Sequence, residues 1–83
     1  MPHREFTLES DDVERLANMT GPFDAHLRQV ELRLGVQIAN RGGVFRMDAD
    51  DAEDAERAES FLRRLYDDAA GEALDEHAVH LRL

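Results

Sequence analysis

Residues 21–35 read Gly21-Pro22-Phe23-Asp24 followed by AHLRQVELRLG, and the rest of the chain is organised around them. The tetrapeptide reads as a sharp turn feeding a helix. Glycine permits a positive φ, and proline presets φ near about −65° for the first helical position. Gly35 stands where a helix ends. Phe23, Leu27, Val30 and Leu34 follow at spacings of four, three and four, which is one face at about 3.6 residues per turn and predicts a core face. Arg28, Glu31 and Arg33 fall largely outside that face.

Upstream, Arg4 to Glu9 alternates Phe6 and Leu8 against Glu5, Thr7 and Glu9, the period expected of a half-buried strand. Asp11, three residues before Glu14, predicts the capped start of a first helix. The inner stripe of that helix is read as Val13, Leu16, Ala17 and Met19, and Gly21 with Pro22 ends it. Downstream of Gly35, Val36 and Ile38 alternate with Gln37 and Ala39. Asn40-Arg41-Gly42-Gly43 makes a turn, and Val44 to Met47 resumes extended structure, so a hairpin is expected. A long third helix follows with Ala55, Ala58, Leu62, Leu65, Tyr66 and Ala69 inward, and Gly71 ends it. Val79, Leu81 and Leu83 then alternate with His80 and Arg82, which predicts a final strand.

Composition bounds what such a chain does. Eighty-three residues make one domain spanning 1–83, with one thin core. There is no cysteine, which excludes a disulfide framework and any cysteine zinc site. No apolar run approaches a membrane span, and the opening MPHREFTLES has no apolar core of a signal peptide, so a cytoplasmic domain with no membrane partner is expected. The net charge is −9, unfavourable for nonspecific nucleic-acid binding. The charge is unevenly distributed. Residues 1–24 hold six acids and two arginines (−4), 25–47 four arginines and one acid (+3), and 48–83 twelve acids and four arginines (−8). All ten cations are arginine, which reflects genomic bias or the suitability of a planar fork for phosphate.

Several motifs suggest chemistry, and each also has a plainer structural role. Asp48, Asp50, Asp54, Glu56 and Glu59 fall at positions 1, 3, 7, 9 and 12 of a calcium loop. Ala52 at position 5 and Glu53 where a glycine is required defeat that reading. A helix start with Asp50 as N-cap and Glu53 three residues on accounts for the same acids. His77 and His80 are too few for zinc, and they, His3 and His26 are read as surface histidines. No catalytic residues emerge, because there is no cysteine nucleophile and no serine paired with a base.

The resulting order, β-α-(Gly-Pro-Phe-Asp)-α-β-turn-β-α-β, resembles a KH domain of the small type, in which a GxxG loop joins the first two helices. The expected class is α+β, a KH-like β-α-α-β-β-α with an additional C-terminal strand and three helices on one face of a small, mainly antiparallel sheet. More specifically, TGPFDAHLRQVELRLGVQIANRGGVFRM, with FTLESDDVERLANM before it and FLRRLYDDA and HAVHLRL after it, resembles the N-terminal domain of PhoH-family proteins across nearly the whole chain. That resemblance implies a KH-like domain ahead of a P-loop ATPase domain in a cytoplasmic bacterial protein linked to phosphate starvation and RNA metabolism. It also implies association with an rRNA-processing endoribonuclease. No GxxxxGK[ST] occurs here, so ATP and magnesium are expected only in the ATPase domain, and no cofactor is expected in this chain.

The KH resemblance implies that the loop and the second helix with its following strand form a groove for RNA. Gly21 matches the first glycine of GxxG, and Asp24 replaces the second. Pro22 removes an N–H donor, Phe23 adds bulk, and Asp24 brings a carboxylate to where a phosphate would lie. Arg28, Arg33, Arg41 and Arg46 weigh the other way. Two expectations of different classes follow: a module that contacts single-stranded RNA for an attached ATPase, or a protein-interaction module for a ribonuclease or a homo-oligomer. In the second, Phe23 fills the core and Asp24 caps the helix.

Overall fold

Alternating apolar residues make three short strands, and their pairing decides where the helices sit. In the computed structural model, which describes residues 2–83, β1 (His3–Thr7), β2 (Val36–Arg41) and β3 (Val44–Ala49) form one antiparallel sheet in the order β1-β3-β2. The register sets Phe6 opposite Phe45 and Ile38 opposite Met47. With successive side chains on opposite faces, Phe6, Val36, Ile38, Phe45, Met47 and Ala49 point to one side and are buried. His3, Glu5, Arg41, Arg46 and Asp48 share the other face, which faces solvent.

The helices are α1 (Val13–Thr20), α2 (Ala25–Leu34), α3 (Ala52–Asp68) and α4 (Glu76–Arg82), with a single 3-10 turn at Pro22–Asp24 between α1 and α2. α2 and α3 lie on the apolar face of the sheet, α1 packs on both, and α4 packs on α2. Leu27, Val30, Phe45, Met47, Leu62 and Val79 are fully enclosed, and each contributes roughly 1.5–3 kcal/mol by leaving water. The Phe6 and Phe45 rings stack with centroids 5.3 Å apart. Arg4 ties β1 to α3 through Glu59, which also accepts from Arg63 at 2.8 Å. Burial alone would raise the Glu59 carboxyl, but hydrogen bonds and charge from Arg4 and Arg63 outweigh it and hold it below the usual carboxylate range.

The hairpin and the stripe of α3 lie where the sequence puts them, and Phe61 joins that stripe. Helix from Ala52 onward occupies the segment resembling a calcium loop, and its N-cap is Asp51 rather than Asp50. Other expectations are corrected. The final segment is not a strand: Val79 and Leu83 are four apart and face inward as a helix requires, Leu81 is 69% exposed, and the Asp75 side chain caps α4 by accepting from Ala78 N–H at 2.8 Å. The described residues therefore form four α-helices and three strands. α1 is capped by Asp12, not Asp11, and buries Met19 and Thr20 while Val13 and Ala17 face water. At the first helical position Val13 leans back over the cap and away from the core. His26 is buried, not superficial.

Candidate nucleic-acid interface

Pro22 cannot donate, and Gly21 already gives its N–H to Ala17 O at 2.9 Å, so the chain leaves α1 in a tight turn closed by Asp24 N–H to Gly21 O at 3.1 Å. Inside that turn Phe23 (φ 53, ψ 34) and Asp24 (φ 59, ψ 29) both adopt the left-handed conformation. That breaks the helical phase between Phe23 and Leu27. The Phe23 ring consequently stands fully in solvent, at 102% relative exposure, and does not fill the core. Asp24 occupies the N-cap position of α2, but its side chain makes no capping hydrogen bond, because the left-handed backbone aims it away from the N–H groups of the first turn.

His26 takes the buried place that Phe23 was expected to fill. Its Nδ1–H donates to Met19 O at 3.0 Å, and its ring lies under Gly21 so closely that a Cβ there would stand 2.7 Å from the imidazole. Gly21 is thus required twice, for φ +80 and for the ring beneath it.

Gly35 turns the chain directly from α2 into β2, an edge strand of the sheet. Helix and strand edge enclose a shallow groove lined by Arg28, Glu31, Leu32, Val36 and Gln37. Glu31 spans it. One carboxylate oxygen accepts from Arg28 at 2.8 Å and the other from the Ile38 backbone N–H at 2.7 Å. Since Ile38 N–H points to Glu31 and away from β3, alternate residues of β2 present their backbone groups to the groove.

The structure does not gather the expected set at one place. Gly21, Pro22, Phe23 and Asp24 form the loop, and Arg28 stands in the first turn of α2 with its side chain in the groove beside Glu31. Arg33 points to α4, where its guanidinium donates to His80 Nδ1 at 3.3 Å. Arg46 lies on the open sheet face beside Glu5 at 3.3 Å, and Arg41 shares that face at the hairpin end, with no acidic partner among the described residues. Two residues that sequence reasoning passed over matter here. Glu31 was visible as the single acid among the four arginines of residues 25–47. His26 falls four residues before Val30, in phase with the buried stripe. No protein-family model matches the chain, and no solved structure matches it.

Proposed function

We propose that the chain is a KH-like binding module that contacts single-stranded RNA through the Gly21–Asp24 loop and the α2–β2 groove, as an accessory domain of a cytoplasmic PhoH-type ATPase. The order β-α-α-β-β-α within the fold, the β1-β3-β2 sheet and the loop between α1 and α2 support the KH-like reading. The observation that carries the RNA reading is Phe23. Its ring is fully exposed at the tip of a turn whose backbone is held in a costly conformation, and such conformations cluster at functional sites. An exposed ring beside an arginine-bearing helix is a platform for an unstacked base, with Arg28 at hand for the adjoining phosphate.

A second reading is favoured by Glu31, whose carboxylate occupies the groove, and by the acidic start of α3: the domain binds a ribonuclease or another copy of itself and leaves RNA to the ATPase. Titration with labelled single-stranded RNA separates the two. The RNA reading expects binding at low salt that Phe23→Ala weakens by about 5- to 150-fold, the loss of one stacked base. Absence of binding at low salt overturns it. Salt-dependent self-association in sedimentation, without RNA binding, supports the second reading instead.

A further inference from the structure

Glu31 makes two contacts of different chemistry with one carboxylate. The Arg28 guanidinium is a phosphate-recognising group, and the Ile38 N–H is an edge-strand donor directed out of the sheet, able to meet an acceptor on a ligand. Arg28 and Glu31 line the groove beside Leu32, and the Ile38 N–H meets it at the Glu31 carboxylate; the Arg28 side chain is 52% exposed and that of Glu31 20%. On an open strand edge, water can satisfy the Ile38 N–H, so folding does not require the carboxylate there. We infer that Glu31 is an intramolecular stand-in for the ligand of this groove, and that a single-stranded RNA displaces it, its phosphate taking Arg28 and a base acceptor taking the Ile38 N–H. The inference rests on the RNA reading above and deepens it. The groove is self-occupied, and RNA affinity is set by the exchange of one acid for one nucleotide.

A ligand that binds only the state with Glu31 swung out loses affinity in proportion to the scarcity of that state. The test uses the full chain and a labelled, unstructured single-stranded RNA of mixed sequence. Glu31→Ala is expected to bind about tenfold tighter than the natural chain. Glu31→Gln is expected to gain less, because its amide oxygen still accepts from Ile38 N–H while Arg28 is released. Arg28→Ala should abolish the gain when combined with Glu31→Ala. Natural chain that binds RNA together with a Glu31→Ala that binds no tighter overturns the inference and leaves the RNA reading standing. No binding by any variant at low salt overturns both. Equal gains for Gln and Ala reduce the effect to charge alone and overturn the exchange at Ile38. Self-association of Glu31→Ala without tighter RNA binding assigns the residue to protecting the strand edge, and so overturns the inference as well. Should Glu31→Ala not fold by circular dichroism, Glu31→Gln decides, and an unchanged affinity for it counts against the proposal.

Discussion

Both ends of α2 pass through the left-handed region of backbone space, but they do so with different residues. At its C-terminal end a single glycine suffices: Gly35 (φ 68, ψ 40) returns its N–H to Glu31 O at 3.0 Å, and open space surrounds it. At the N-terminal end Gly21 is followed by two non-glycine residues of positive φ, Phe23 and Asp24. Each such residue costs roughly 1–2 kcal/mol, an appreciable share of a stability that is about 5–15 kcal/mol for ordinary domains. Closing a helix does not demand this strain, as the other end demonstrates. The strain holds an aromatic ring in water, and the buried His26 beneath Gly21 supplies the anchoring that keeps it there.

The largest expected effect exploits that anchoring. Gly21→Ala combines left-handed strain with overlap against the His26 ring and should cost about 3 kcal/mol, a fall in Tm of roughly 15 °C. Gly35→Ala meets only the backbone term and should cost about 1 kcal/mol, or roughly 5 °C. Equal losses in thermal denaturation would erase the distinction between the two ends. Asp24→Gly acts in the opposite direction. It removes left-handed strain while loosening the unfolded chain, for a net gain of about 0.5 kcal/mol by urea denaturation. It also gives the loop the Gly-x-x-Gly spacing and removes a carboxylate from it, so under the proposed RNA-binding function affinity for RNA should rise. A less stable Asp24→Gly would mean that the aspartate is held by something other than backbone shape.

A further small effect, present only where the carboxyl is ionised, lies where charge ties β1 to α3. Glu59 ionises more readily in the folded chain than in the unfolded one. Its stabilisation is therefore full above the unfolded value of about 4.3 and is lost as pH falls through the lower folded value. Natural chain and Glu59→Gln should differ in denaturation midpoint at neutral pH, by under about 1 kcal/mol for ion pairs as accessible as these, and converge in acid. A difference that persists at low pH would point to packing rather than charge.

Where the sequence was legible, the local pattern and the tertiary environment agreed. Val36 and Ile38 alternate and are buried, the turn at Gly42-Gly43 closes the hairpin, and the stripe from Ala55 to Leu65 faces the sheet. Phe23 was misread because periodicity assumes an unbroken helix, whereas the turn at Pro22–Asp24 shifts its phase. The C-terminal segment was misread because Val79, Leu81 and Leu83 satisfy a period of two as well as Val79 and Leu83 satisfy a period of four. Only the Asp75 cap and the docking surface on α2 choose between them. In the candidate interface the turn between α1 and α2 could be read in advance as a turn. The scattering of Arg33, Arg41 and Arg46 could not, because charge counted along the chain does not record which face of a helix or sheet each residue leaves from.

The side chain of Asn18, on α1, bonds to backbone more than fifty positions away. Its Nδ2 donates to Ala69 O at 3.1 Å and to Glu72 O at 2.7 Å, and its Oδ1 accepts from Leu74 N–H at 2.7 Å. One amide thus shapes the whole reversal between α3 and α4, a stretch with little regular structure of its own. The seven residues of α4 are too few to persist alone, and the reversal that delivers them to α2 is held by an amide of α1, so in the folded chain the last helix depends for its place on the first.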